Sequence, residues 1–415
     1  MENKLSNKEL FLKHCSPAME TPFSLAEYRD RLNRVRKEMA GRKIDLLYLS
    51  SPESLCYLSG YQAEWYQAQS PKEWPPVSGL AVHVDHDKFI LFDAEEEEVM
   101  IRYTTVSTDT RIFRSDEMKS ATDKILSDLK EEGWLKGTLG LEMRSYRPNR
   151  LVSEQFQKDI EGAGCKVVDG SDIVREIRGI KSPQEIAYIE TAARIADIGM
   201  HAARGVMRPG VTELDVYGEM ICAMARAGGE NAAITLPVVS GPKSACLHGL
   251  ASRRKIMPGD IVNVDICGVY NRYHYNMART FSMGVPHPDV ASVMEKSARS
   301  MAMLKELIRP GLKIADLLSH VIGYYKEAGI WEDRLWVGGY EIGLAFPPDW
   351  VGAFVYEPGM DLGDRAFQPG MVINYESNFY LPQAAGTSIL IDSIIFKEDR
   401  AEMVSRVPHD LCVIE

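Results

Sequence analysis

The chain has 415 residues, 45% of them apolar, and a formal net charge of −11. That length exceeds what one compact core usually holds, so we predict two domains. The acidic balance argues against a nucleic-acid partner, which would need a basic face. Seven cysteines without Cys-x-x-Cys spacing argue against a disulfide framework and favour a reducing cytoplasm. We find no signal peptide and no apolar run as long as a membrane span, so we expect a cytoplasmic protein.

Helical and strand patterns alternate over residues 24–170. Leu25 to Met39 reads as an amphipathic helix and Ile44 to Leu49 as a short apolar strand. Two further strands, Leu80 to Val84 and Phe89 to Phe92, flank a polar turn. This alternation predicts a small α/β domain.

A strong helix start follows at Ser182-Pro183-Gln184-Glu185. Serine as the N-cap, proline at the first helical position and glutamate at the third form a capping box. We place the domain boundary just before it. The predicted domains are therefore residues 1–176 and residues 177–415.

The second domain has strand patterns on both sides of a helical stretch. This arrangement predicts an α+β fold in which a sheet curves over helices. The predicted strands are 234–240, 261–267, 273–281, 371–380 and 388–396, and the predicted helices are 183–200, 212–226, 288–308 and 314–328.

Polar residues follow three of these strands at alternate positions. Side chains alternate across a strand, so each strand carries its polar residues on one face: Asn263 and Asp265 on the first strand, His274, Asn276 and Thr280 on the second, and Asn374, Glu376 and Asn378 on the third. One such stripe is usually a solvated face. Three stripes in one domain predict a cleft lined by polar groups.

A histidine in a turn-rich loop is a candidate base. His248 lies in the segment 240–249, just before the strand that carries Asp265. A loop histidine is more often a bystander, but neutral imidazole is available as a base near physiological pH. Trp350 and the aromatic residues that follow it can wall a pocket for a cation or pack in an ordinary core.

These segments resemble the pita-bread-fold family of creatinase, prolidase and methionine aminopeptidase over nearly the whole chain. The resemblance implies an N-terminal α/β domain, a C-terminal pita-bread domain and a homodimer. It also implies that the loop from Tyr61 to Trp74, with Trp65 and Tyr66, covers the partner's site. The motifs that carry it are Tyr57-Leu58-Ser59-Gly60, Arg178-Gly179-Ile180-Lys181-Ser182-Pro183, Arg279-Thr280-Phe281 and Gln368-Pro369-Gly370-Met371-Val372.

The metal-binding members of that family hold two divalent ions with two aspartates, one histidine and two glutamates. The resemblance places Asp265 and Glu376 at two of these positions, and Asn276, Tyr340 and Ile391 at the others. A pair of hard cations needs several anionic or imidazole ligands. We therefore predict no metal site and no cofactor.

The resemblance is closest to a metal-free branch whose enzymes, similar to ectoine hydrolase, open a small cyclic amidine. Creatinase-like enzymes come next; they hydrolyse a guanidino compound with a catalytic histidine, and His248 matches that position. The ectoine-hydrolase branch carries a glutamate where this chain has Asp265. The stretches that resemble it are Arg272-Tyr273-His274, Gly339-Tyr340-Glu341-Ile342-Gly343-Leu344, Pro347-Pro348-Asp349-Trp350 and Gly363-Asp364-Arg365.

The favoured prediction is a metal-independent hydrolase of a non-peptide carbon–nitrogen bond in a small cationic or zwitterionic metabolite. His248, Asp265 and Glu376 are the predicted catalytic residues. The alternatives are a divergent metal-dependent Xaa-Pro-type peptidase, with Asn276 and Asp392 as substitute ligands, and a non-catalytic binding module. The predicted substrate-binding residues are His274, Tyr340, Asn276, Arg279, Asp349, Trp350, Trp65 and Tyr66.

Overall fold

The computed structural model describes residues 5–14, 18–62, 79–114 and 121–415. The chain divides into two compact units, Met1–Ile177 and Arg178–Glu415. Trp65 and Tyr66, the predicted cover residues, lie outside the described residues. Within the described part of the chain, none of the helices combines the length and the apolar character that a membrane span requires.

The first unit is an α/β layer built on one sheet with the strand order β4-β3-β2-β1-β5-β6. Strand β1 runs antiparallel to β2 and parallel to β5, so hairpin and crossover connections are mixed. In chain order the elements are α1 (Asn7–His14), α2 (Leu25–Arg42), β1 (Leu46–Leu49), α3 (Pro52–Ser59), β2 (Gly79–His83), β3 (Phe89–Ala94), α4 (Glu98–Thr104), β4 (Thr110–Phe113), α5 (Ala121–Glu131), β5 (Thr138–Leu141), α6 (Arg150–Gly162), β6 (Lys166–Asp169) and α7 (Ser171–Arg178).

The second unit carries the predicted sheet over helices. Its main strand order is β11-β10-β12-β14-β9-β8-β7. In chain order the elements are α8 (Pro183–Val206), α9 (Glu213–Arg226), β7 (Val238–Ser240), β8 (Ile261–Tyr270), β9 (Tyr273–Met283), α10 (Pro288–Leu307), α11 (Ile314–Glu327), β10 (Arg334–Phe346), β11 (Asp349–Tyr356), β12 (Val372–Leu381), β13 (Gly386–Ser388), β14 (Ile391–Phe396), β15 (Ala401–Glu402) and β16 (Cys412–Ile414).

Helix α8 begins with the predicted capping box. The Ser182 side chain accepts a hydrogen bond from the Glu185 backbone N–H, and the Glu185 carboxylate accepts one from the Ser182 N–H at 2.8 Å. These bonds satisfy two N–H groups that would otherwise lack partners at the helix start. The apolar face that follows, with Ile189, Ala196 and Met200, is buried.

Strands β8 and β9 form a hairpin whose turn consists of Asn271 and Arg272. Their φ angles are 51° and 66°, the left-handed conformation that a two-residue hairpin turn of this kind requires. Arginine is unfavourable there, and the Glu230 carboxylate offsets the cost by accepting both backbone N–H groups, at 2.7 and 2.9 Å. The turn fixes the register that pairs Asp265 with Ala278 and Cys267 with Asn276.

Helix α8 lies against strand β8 at a position where a side chain cannot fit. A Cβ atom on Gly268 would lie 1.9 Å from the Ala192 carbonyl oxygen. We therefore expect Gly268→Ala to destabilise the protein by about 3 kcal/mol, because helix and strand must separate. At the partly buried Gly323 of helix α11, no atom lies within 4 Å of such a Cβ. Gly323→Ala should instead add about 0.5–1 kcal/mol. Urea unfolding of both variants checks this, and equal midpoints would contradict the packing described.

Candidate active site

A cavity of about 170 Å³ in the second unit brings together residues from separate strands and from several loops. The predicted residues that line it are His248, Asp265, Tyr340, Asp349, Trp350 and Glu376. Apart from Asn378, its other lining residues are apolar, and none of the described lining residues is a lysine or an arginine.

The carboxyl groups of Asp265 and Glu376 line the cavity, and neighbouring amide side chains donate hydrogen bonds to them. Asp265 Oδ1 accepts a hydrogen bond from Asn276 Nδ2 at 2.7 Å. Glu376 Oε1 accepts one from Asn374 at 3.0 Å, and Oε2 accepts one from Asn378 at 2.9 Å. The alternation along β8, β9 and β12 puts all of these side chains on one face of the sheet.

The surroundings of both carboxyl groups raise their pKa and so favour the protonated form. Burial raises the pKa of Asp265 to about 8, with a further contribution from the charge of Glu376. Burial also raises the pKa of Glu376 to about 7, against hydrogen bonds from Asn378, Asn374 and Tyr340 that favour its ionised form. Near neutral pH the pair therefore holds a proton that it can donate and a carboxylate that can accept one.

Tyr340 and Trp350 form an aromatic wall beside the carboxyl pair. Trp350 Nε1 donates to the Tyr340 hydroxyl at 2.8 Å, and the Tyr340 backbone N–H donates to Asn374 Oδ1 at 2.8 Å. Burial, followed by the charges of Glu376 and Asp265, raises the pKa of Tyr340 well above its usual value. The phenol therefore stays neutral, and its hydroxyl can both donate and accept hydrogen bonds.

His248 lies at the edge of this cavity, next to Leu247, which also lines it. The imidazole is exposed, and a short 3₁₀ helix, Gly241–Ala245, precedes its loop. This position lets the imidazole reach a water molecule or a substrate in the cavity without leaving solvent, which suits a base.

His274 does not line the cavity. It is fully buried; its Nε2 accepts the Ala233 N–H at 3.0 Å, and its Nδ1 bonds the Arg272 carbonyl at 2.9 Å. Burial, with the nearby Arg272 charge, lowers its pKa to about 3, so it stays neutral. Both ring nitrogens are thus occupied by backbone. Its ring centroid lies 6.3 Å from that of Trp350, and its role in orienting a substrate stays a prediction.

Arg279, a predicted substrate-binding residue, is not among the residues that line this cavity. Odd-numbered residues of β9 face away from Asn276, and there Arg279 donates to Asp392 Oδ2 at 2.8 Å. Asp392 is also bonded by Tyr275 at 2.7 Å and His409 at 2.8 Å. Burial opposes ionisation of Asp392, but the Arg279 charge and these hydrogen bonds outweigh it and lower its pKa to about 2. The Asp392 carboxylate is therefore paired outside the cavity, and its neighbour Ile391 lines the cavity instead.

We expect Arg279→Met to cost about 3–5 kcal/mol of stability, because it removes the permanent countercharge of the buried Asp392. Arg309→Met, at an exposed position, is the matched control and should change stability by less than about 0.5 kcal/mol. Adding Asp392→Asn to Arg279→Met should recover much of the loss. Urea unfolding checks all three. Unchanged stability together with a raised KM would instead show that Arg279 binds the substrate, as predicted from the sequence.

Two amides were not among the predicted site residues. Asn374 and Asn378 hold both oxygens of Glu376. The Asn-x-Glu-x-Asn alternation of β12 placed both amides on one polar face with Glu376, but the sequence analysis gave them no role of their own.

Residues 187–399 match the model of metallopeptidase family M24, and residues 31–180 match the creatinase/prolidase N-terminal domain. The chain belongs to metallopeptidase family M24. This membership confirms the predicted fold class, an α+β chain with a creatinase-type N-terminal domain and a pita-bread domain, and it places the chain among hydrolases.

Named relatives of this chain carry different activities. It is 26% identical to the Xaa-Pro dipeptidase of Pyrococcus furiosus, over 92% of this chain and 99% of the relative. It is also 26% identical to the ectoine hydrolase of Halomonas elongata, over 94% and 98%. The solved Xaa-Pro dipeptidase of Bacillus anthracis matches with a TM-score of 0.77 at 22% identity, over 93% of this chain and 100% of that chain, which shows the shared fold alone.

The family name implies a metal, but the side chains present do not fit a dinuclear centre. Asp265 Oδ1 and both oxygens of Glu376 accept amide N–H groups, so hydrogen-bond donors already contact three of the four oxygens that would bind cations. The Ile391 side chain has no atom that can coordinate a metal, and Asp392 is paired with Arg279. Among the residues that the structure describes, no group of three or more histidine, cysteine, aspartate and glutamate side chains is arranged to hold a metal ion.

Proposed function

We propose that this chain is a metal-independent hydrolase of a non-peptide carbon–nitrogen bond in a small cationic or zwitterionic metabolite. The observation that carries the proposal is the pair Asp265 and Glu376, which amides rather than further metal ligands hold in the cavity. The ectoine hydrolase among its relatives makes a cyclic amidine the first candidate substrate, and a guanidino compound is the second.

The size of the cavity and the acidic residues that line it support a small cationic substrate. A volume of about 170 Å³ suits a metabolite rather than a long peptide, and three carboxyl side chains, of Asp265, Asp349 and Glu376, line it. Planar N–H donors match carboxylates well, and Trp350 and Tyr340 offer aromatic surface to a cation.

The carboxyl pair and His248 can supply both proton transfers of a hydrolysis. A water oxygen adds to the electrophilic carbon, and its proton passes to His248 or to the ionised carboxylate. The carbon–nitrogen bond then breaks with its electron pair on nitrogen, which takes the proton held by the other carboxyl group. Groups whose pKa lies near the working pH perform such transfers best.

A second candidate is a divergent Xaa-Pro dipeptidase, because a relative of that name is as similar to this chain as the ectoine hydrolase is. That activity would need the amides of Asn276, Asn374 and Asn378 to turn their carbonyl oxygens toward a cation. It would also need the Tyr340 phenol to leave room for one.

A substrate panel distinguishes the candidates. Chelator-dialysed protein is incubated with ectoine, hydroxyectoine, creatine and Xaa-Pro dipeptides, and the products are identified by mass. We expect one of the small cyclic or guanidino compounds to gain one water and every dipeptide to remain intact. Dipeptide cleavage that appears only after manganese is added back would favour the peptidase. No turnover of any compound under either condition would favour a non-catalytic binding module.

A further inference from the structure

Asn378 carries an unpaired hydrogen-bond acceptor at the cavity. Its side chain is fully buried and lines the cavity beside Glu376. Its Nδ2 donates to Glu376 Oε2 at 2.9 Å, but no described residue donates to its Oδ1. When Glu376 is ionised, its bond to Nδ2 fixes this orientation, because the reversed amide would place its carbonyl oxygen against a carboxylate oxygen.

A buried carbonyl oxygen without a donor is unfavourable, and folded proteins rarely leave one. The nearby amide donors are already used, since Asn276 bonds Asp265 and Asn374 bonds Glu376. Because Asn378 lines the cavity, an occupant of the cavity is the remaining source of a donor for its Oδ1.

We infer that Asn378 is a substrate-binding residue whose Oδ1 accepts an N–H group of a planar cationic ligand, while Glu376 accepts a second N–H of the same ligand. The site then distinguishes a cation that carries N–H groups from an alkylated cation of equal charge. This inference rests on the proposed function only for the class of ligand.

Binding of two simple cations tests the inference. Acetamidinium is planar and carries N–H donors, whereas tetramethylammonium has the same charge and none. Calorimetry uses chelator-dialysed full-length wild type and Asn378→Leu, whose folding is checked by melting temperature. We expect the substitution to weaken acetamidinium binding about ten-fold or more and to leave tetramethylammonium binding unchanged.

Asn378→Asp is the conservative variant. A protonated aspartic acid at this position can donate its O–H to Glu376 and present its carbonyl oxygen to the cavity, so acetamidinium binding should be retained. Three results would overturn the inference: no acetamidinium binding by wild type, equal acetamidinium binding by Asn378→Leu, or equal weakening of both cations. None of these results depends on turnover. The substrate panel therefore tests the proposed function separately.

Discussion

Asp265→Asn and Glu376→Gln are each expected to lower kcat by about three orders of magnitude on the substrate that the panel identifies. An amide keeps the shape of the carboxyl group but cannot hold or release the proton. Both variants should also be more stable than wild type above pH 7, because a second buried negative charge is removed. Steady-state kinetics and thermal unfolding of the same preparations measure the two effects.

The stability gain should depend on pH. The pKa values of Asp265 and Glu376 are raised to about 8 and about 7, so the folded state binds more protons than the unfolded state above about pH 4. Stability is therefore highest below that pH and falls as pH rises toward 8. Asp392, with its lowered pKa, acts in the opposite sense and only below about pH 4. Parallel stability curves for wild type and the amide variants would contradict the assignment.

His248→Ala is expected to reduce kcat by about 10²–10⁴-fold without loss of the fold, because the water then lacks its base. His320→Ala is the matched control: this histidine is also exposed but lies on helix α11, away from the cavity lining. The control should keep full activity. Undiminished turnover by His248→Ala would remove the histidine from the mechanism and leave both proton transfers to the carboxyl pair.

The polar site could be predicted from the sequence where strand alternation decides the outcome. Asp265 and Glu376 lie on the cavity face because every second residue of β8 and β12 must do so. Alternation gives the face of a strand but not the depth of a position along it. His274 illustrates this limit. It follows the β8–β9 turn and is fully buried, and its neighbour Tyr273 pairs with Leu344 of β10.

Arg279 shows a different limit. Its expected role came from the family resemblance, whereas the period of β9 already puts it on the face opposite Asn276. The acceptor on Asn378 depends on which amide atom bonds Glu376, and only the three-dimensional arrangement fixes that choice.

The measurement that tests the account most directly is the metal content of active enzyme. Protein is dialysed against a strong chelator, analysed for manganese, zinc, iron and cobalt by mass spectrometry, and assayed in the same buffer. If hydrolysis is metal-independent, we expect full turnover with far less than one metal ion per chain, and no increase in turnover when metals are returned. Activity that disappears with the metal and returns in proportion to bound metal would contradict it.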